Sequence, residues 1–351
     1  MTAADPAGEP TESPKHRFSR LRLPRRGRPR IRHRWLRWTV RVLLGLFVLG
    51  TLFSLAYNLA TNGDQKPASA LYPGPYVQID GRQVAYRQLG SRGGPIIFLG
   101  GFAEPSWVWK PVMRRLAASH RVYALDLPPF GYSERKGPYT LSGWTSLVRD
   151  FAAHFGLRRP LVVGHSLGAA VAVNIGLQAP KNTAGVVLLD GDALPVGGPH
   201  GIANLFVNPY YTTLFRLVAH SDWIVHKVLV QAEGPDRPPI TSAQVDEFER
   251  AFRVRGTEKG FHDLFRGGVQ GLTLGDLRSL KVPRIVVWGQ YDTVDEIKAG
   301  RTSAQALGVK LTVIPRAGHL SMLDEPAAVA QAIGSFAARI ERIPSQNTSK
   351  H

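Results

Sequence analysis

Gly164-His165-Ser166-Leu167-Gly168 fits the pattern G-x-S-x-G, and its surroundings give it weight. It follows the apolar run Leu161-Val162-Val163 and precedes the small residues Ala169 to Ala172. A nucleophile elbow requires this strand–turn–helix order. The serine sits in a strained turn, and Gly164 and Gly168 remove side chains that would strike the adjoining strand and helix. A serine hydroxyl is a weak nucleophile near neutral pH and needs a base that is itself oriented by an acid. His319, in Arg316-Ala317-Gly318-His319, is the candidate base, and Asp292, in Gly289-Gln290-Tyr291-Asp292, the candidate acid. Each alone is an ordinary loop residue. With Ser166 they occupy loops that follow apolar strands, in the order Ser, Asp, His. Asp190 and Asp192, after the strand that follows the elbow, are rivals for the acid.

These loops need strands to carry them. Tyr76–Ile79 and Arg82–Gln88 flank Asp80-Gly81, a tight-hairpin signal. Six short apolar runs follow: Pro95–Leu99, Val122–Leu125, Leu161–Val163, Gly185–Leu189, Arg284–Trp288 and Lys310–Ile314. Helical patterns lie near Trp107–Ser119, Ser142–Phe155, Leu167–Gln178, Asp295–Leu307 and Pro326–Ile343. Continuously apolar strands with helical crossovers predict an α/β fold whose mostly parallel eight-stranded sheet is covered on both faces. One interval breaks the alternation. Residues 193–278 show no strand but helical stretches at Thr212–Gln231, Ser242–Arg253 and Thr257–Arg266, which reads as a helical cap inserted between two strands. Its Phe206, Tyr210, Tyr211, Phe215 and Trp223 are candidates for an apolar pocket.

The sequence resembles the α/β-hydrolase superfamily over roughly residues 76–343. The resemblance rests on the elbow, the Asp292 and His319 loops, Gly100-Gly101-Phe102, and Asp126-Leu127-Pro128-Pro129-Phe130-Gly131-Tyr132-Ser133. It implies that Ser166 is the nucleophile, His319 the general base and Asp292 its orienting acid, with an oxyanion hole built from the backbone N–H groups of Phe102 and Leu167. It further implies that Asp126 orders its loop. Two positions depart from the family pattern: Gly100 stands where histidine is frequent, and Pro129 where glycine is common. A serine nucleophile argues against the branches that use a carboxylate. It leaves a carboxylesterase-like activity on an ester or related acyl bond, with C–C bond hydrolysis and cofactor-free perhydrolysis as alternatives. A non-catalytic membrane-tethered binding protein is the alternative from another class. No metal cluster or dinucleotide fingerprint is visible, so no cofactor is expected.

The chain of 351 residues carries 44 Lys and Arg against 26 Asp and Glu, a formal charge of +18, and has no cysteine. That removes disulfides, thiolate metal sites and thiol nucleophiles. Residues 1–41 hold twelve of the cations and three of the acids, a local 12 − 3 = +9. Immediately after comes Val42–Ala60, nineteen residues without formal charge. At ~1.5 Å per residue they span about 28 Å, close to the hydrocarbon thickness of a bilayer. No polar stripe is evident in them. The cation asymmetry predicts a single-pass anchor with a cytoplasmic N-terminus and an exported catalytic domain. Secretion after cleavage near Ala68-Ser69-Ala70 is the alternative. The basic tail is then a topology signal, with no nucleic-acid partner expected. The predicted organisation is a basic tail (1–41), a transmembrane helix (42–60), a linker (61–75), the core (76–192 and 279–345), the cap (193–278) and a short tail (346–351). The expected partners are the bilayer and a small, partly apolar ester.

Overall fold

A computed structural model describes residues 30–195, 210–267 and 270–342, with side chains from residue 34. The basic tail up to residue 29, the tail 346–351 and Phe206 lie outside the described residues. Helix α1 (Arg30–Thr61) leads to the short α2 (Ala68–Leu71) and to a hairpin of β1 (Tyr76–Ile79) and β2 (Arg82–Leu89). The hairpin turns at Asp80 and Gly81, both at positive φ, as a two-residue turn of this hand demands. There follow β3 (Pro95–Leu99), α3 (Lys110–Leu116), β4 (Arg121–Leu125), α4 (Leu141–His154), β5 (Leu161–His165), α5 (Leu167–Gln178) and β6 (Gly185–Leu189). Helices α6 (Tyr210–Ala219), α7 (Asp222–Ala232), α8 (Ser242–Phe252), α9 (Thr257–Gly267) and α10 (Leu274–Ser279) occupy the interval before β7 (Arg284–Gly289). The chain continues through α11 (Ile297–Leu307), β8 (Leu311–Ile314), α12 (Ser321–Asp324) and α13 (Pro326–Glu341).

The eight strands form one sheet in the order β1-β2-β4-β3-β5-β6-β7-β8. β2 runs antiparallel to both of its neighbours, and β4 to β8 are joined by parallel pairs. Alternation of side chains along each strand splits the core in two. Ile97, Leu99, Val162, Val186, Leu188 and Trp288 pack with α4, α5 and α11, whereas Ile96, Phe98, Val163, Val187 and Val287 pack with α3 and α13. Val329, Ile333 and Phe336 seal the second face from α13, each burial contributing about 1.5–3 kcal/mol. Because the strands from β3 onward are parallel, the loops after β3, β5, β6, β7 and β8 gather at one end of the sheet.

Several elements differ from the sequence expectation. The helix expected over Thr212–Gln231 is two helices. Ser221 ends the first and caps the second, its hydroxyl accepting from the Ile224 N–H at 3.4 Å. Helix α10 was not anticipated. Residues 61–75 are packed rather than a bare linker: Lys66 bridges Val254 backbone to backbone, and the buried Tyr72 stacks on Tyr132 at 4.9 Å. The apolar segment does carry a polar stripe. Thr51, Ser54, Asn58 and Thr61 recur on one side of α1 and meet α6.

The chain divides into two compact units, residues 1–50 and 51–351. Within the first, Trp35 and Trp38 pack edge to face at 6.4 Å, and the apolar residues from Val40 to Leu49 are exposed. Helix α1 is long and apolar enough to cross a membrane, by length and composition.

The inserted helices are fastened to the core by Arg135. Its guanidinium donates to the Gly131 carbonyl at 2.7 Å and the Phe130 carbonyl at 3.2 Å on the β4 loop. It also donates to the Ala251 carbonyl at 2.8 Å and the Thr257 hydroxyl at 2.9 Å on the insertion. Hydrogen bonds to a charged group are worth roughly 1.5–3 kcal/mol each in isolation and are not additive. Arg135→Ala is expected to lower the stability of the full chain by about 3 kcal/mol or more in urea unfolding. Arg135→Lys is expected to restore little, since an ammonium cannot reproduce the planar fork.

Candidate active site

The elbow is built by close approach of backbones. Ser166 sits between β5 and α5 at φ 48°, ψ −119°, a conformation a serine adopts only when its surroundings impose it. A Cβ on Gly164 would lie 2.1 Å from the Gly168 carbonyl oxygen, and one on Gly168 would lie 2.7 Å from those of Leu99 and Gly100. Only glycine fits either place. The Ser166 N–H donates to the Leu189 carbonyl on β6 at 3.0 Å. The strained residue is thus pinned from both neighbouring strands.

Asp292 follows β7 and His319 follows β8, and the structure joins them. Asp292 Oδ2 is 2.8 Å from His319 Nδ1, with both residues largely buried. The other carboxylate oxygen, Oδ1, accepts the N–H groups of Val294 and Asp295, each at 2.9 Å. That fixes the carboxylate and leaves His319 Nε2 free of it. Asp190 and Asp192 are engaged elsewhere. Asp190 accepts the Gly289 N–H at 2.6 Å and the Ser321 hydroxyl, tying β6 to β7 and α12. Asp192 accepts the Leu194 N–H at 2.9 Å.

The backbone N–H of Phe102 makes no hydrogen bond among the described residues, and Leu167 opens α5, where N–H groups have no intrahelical acceptor. The neighbouring Gly101 N–H is occupied. It donates to Glu104 Oε2 at 2.6 Å. The Phe102 ring is half exposed and packs against Phe130 at 5.3 Å and, from α9, Phe261 at 5.5 Å and Phe265 at 5.8 Å. Tyr211 and Phe215 reach this group through Phe215 on Phe261 at 5.2 Å. The other cap aromatics do not. Tyr210 turns to Thr51 on α1, and Trp223 is exposed with Lys227 over its ring. Two phenylalanines four residues apart in α9 were the signal that could have found the buried Phe261 and the exposed Phe265. Asp126 orders its loop as expected, accepting the N–H groups of Ser106 at 2.5 Å and Tyr132 at 2.7 Å.

His165 does more than fill the elbow. Its fully buried ring donates from Nδ1 to Glu104 Oε2 at 2.9 Å and from Nε2 to the His319 carbonyl at 2.7 Å. Burial alone would lower its pKa. The Glu104 carboxylate, with Asp190 3.9 Å away, reverses this and raises it to about 9. Burial pushes Asp190 up to about 7, opposed by His165 and the Ser321 hydrogen bond. Burial also acts to raise Glu104, but His165 and the Gly101 N–H outweigh it and hold Glu104 below the ordinary range. The imidazolium therefore links the Gly101–Phe102 loop, the elbow and the His319 loop. Among the described residues no cluster of His, Asp and Glu is arranged to hold a metal ion. A groove of about 600 Å³, lined by Arg149, Arg158, Arg159 and Lys181 among others, lies apart from all of these residues.

Parallel sheet, glycine-framed serine turn and joined Asp–His loops are the marks of one enzyme class, and comparison with known proteins agrees. Residues 96–332 match the alpha/beta hydrolase family, to which the chain belongs. It is 29% identical over 272 residues to the dihydrolipoyllysine-residue acetyltransferase component of an acetoin cleaving system from Cupriavidus necator, covering 76% of this chain and 69% of that one. Among solved structures, a bacterial membrane phospholipase A superposes with a TM-score of 0.63 at 21% identity, covering 89% of this chain and 99% of its own. An esterase from Thermogutta terrifontis superposes with a TM-score of 0.62 at 22% identity, covering 76% and 99%.

A group whose pKa is raised by folding adds stability that is full below its unfolded value and lost as pH rises through its folded one. For His165 the window runs from an unfolded value of about 6.5 to about 9. Thermal unfolding is expected to show stability falling between these pH values, and the fall is expected to vanish in His165→Asn. An equal slope in both proteins would mean that His165 is neutral.

Proposed function

We propose that this protein is a membrane-anchored serine hydrolase that cleaves a carboxylic ester through an acyl-enzyme. The observation that carries the reading is the Asp292–His319 hydrogen bond, with a serine held at positive φ directly after His165, whose ring bonds the His319 carbonyl. Asp292 keeps the proton of His319 on Nδ1, so Nε2 is the basic nitrogen. Nε2 takes the Ser166 Oγ proton as Oγ attacks the ester carbonyl. The resulting oxyanion is bound by the N–H groups of Phe102 and Leu167, donors that cost no reorganisation because the loop and the helix already fix them. His319 then gives its proton to the departing alkoxide, leaving Ser166 acylated. Water repeats the sequence: Nε2 removes its proton, hydroxide attacks, and the acid is released with Ser166 restored.

Helices α6 to α10 act as the cap over this site, and the rings of Phe102, Phe130, Phe261 and Phe265 favour a substrate with an apolar acyl or alcohol part. The apolar helix α1 supports tethering, with the arginine-rich side in the cytoplasm and the catalytic domain exported. Likeness to a membrane phospholipase A over most of the chain agrees with a lipid-like ester.

The test is turnover of short- to medium-chain aryl esters by the full protein. Ser166→Ala is expected to lower kcat by about 10⁶-fold. Asp292→Asn is expected to lower it by about 10⁴-fold, because the wrong imidazole tautomer is then favoured. Turnover that survives Ser166→Ala would sink the mechanism, and no turnover of any ester by the folded wild type would favour a binding protein.

A further inference from the structure

The pairing of α1 with α6 has the reverse of the polarity expected in water. On α1, Thr51, Ser54, Asn58 and Thr61 turn inward. On α6, Tyr210, Thr213 and Arg216 face them. Tyr210 meets Thr51 at 2.5 Å, Thr213 meets Ser54 at 2.5 Å and Asn58 at 3.0 Å, and Arg216 donates to the Asn58 carbonyl at 2.9 Å and the Thr61 hydroxyl at 2.8 Å. Arg216 is also paired, inside, with Glu258 at 2.7 Å. The leucines of both helices face out: Leu55 is 51% and Leu59 80% exposed on α1, and Leu214, Leu217 and Val218 are 48%, 43% and 44% exposed on α6. A water-soluble helix pair buries leucine and shows its hydroxyls to solvent. In lipid the tail-facing surface is apolar, and polar side chains serve as contacts between helices. Around α6 the sides grade into one another: Thr213 and Arg216 lie toward α1, Leu217, Leu214 and Val218 follow with Tyr210 among them, and Tyr211 and Phe215 come next and reach Phe261.

We propose that the Leu214–Leu217–Val218 face of α6 is seated in the same lipid leaflet as the end of α1, so that the cap is a second membrane contact and the site takes its acyl substrate from the bilayer. The occupant of this face is lipid because the apolar surface of Leu55 and Leu59, on the helix read as the anchor, adjoins the helix that carries it. The proposal rests on that anchor reading. It adds that one helix of the cap touches lipid on one face and, on another, the ring group that contains Phe102.

The chain has no cysteine, so a single introduced cysteine takes a unique label. Full-length Leu217→Cys, Leu46→Cys and Lys181→Cys, each carrying bimane, are reconstituted in phosphatidylcholine vesicles with doxyl-labelled lipid as quencher. The expected result is loss of emission at position 217 comparable with that at 46, and little at 181, which lies exposed on the core. Quenching at 46 without quenching at 217 would overturn the proposal and leave the anchor standing. Absence of quenching at 46 would overturn the anchor and the proposal with it. An unquenched label at 217, together with a disulfide between copies when the unlabelled Leu217→Cys protein is air-oxidised, would assign the face to a second copy of the chain, which also overturns it.

Discussion

A buried imidazolium holds the candidate site together. His165 lies at the junction of three loops, which come from β3, β5 and β8 and share no covalent continuity. Its two N–H groups can be satisfied only if Glu104 approaches from the first loop and the His319 carbonyl from the last. An unpaired charge at that depth costs several kcal/mol, so the three loops are placed together or not at all. Glu104 carries the constraint one residue further by accepting the Gly101 N–H. The neighbouring Phe102 N–H makes no hydrogen bond among the described residues. The strain at Ser166 is tolerable for the same reason, since its turn is held by backbone contacts on both sides.

The insertion is tied to this centre at several points. Arg135 clamps α8 and α9 to the β4 loop. The end of α7 meets the His319 loop, where Asp324 accepts the N–H groups of both Gly234 and Gly318 at 2.9 and 2.8 Å. Helix α9 lays Phe261 and Phe265 against Phe102. Helix α6 carries the polar clasp to α1. The same helix packs Phe215 on Phe261, which in turn packs on Phe102.

Much of this was legible in the sequence because it is local. Apolar runs of three to five residues marked six strands, the Asp80-Gly81 turn signal marked the other two, and the glycines around Ser166 announced the elbow. The order Ser166, Asp292, His319 could be read because each follows a strand directly. What escaped depends on partners far apart in the chain. Glu104 and His165 are 61 residues apart and Ser54 and Thr213 are 159 apart, so neither pair leaves a periodic trace. The stripe on α1 escaped because threonine, serine and asparagine are small enough to pass in an apolar run. Trp223 was misjudged because aromatic character alone does not tell a pocket from an exposed face.

The central claim is that Ser166 forms the covalent acyl intermediate. Treating the full-length protein with a fluorophosphonate, followed by intact mass measurement and peptide mapping, tests it most directly. The account predicts one adduct, on the peptide that contains Ser166, abolished in Ser166→Ala and formed far more slowly in His319→Ala. An adduct on another residue, or none on the folded protein, would contradict it.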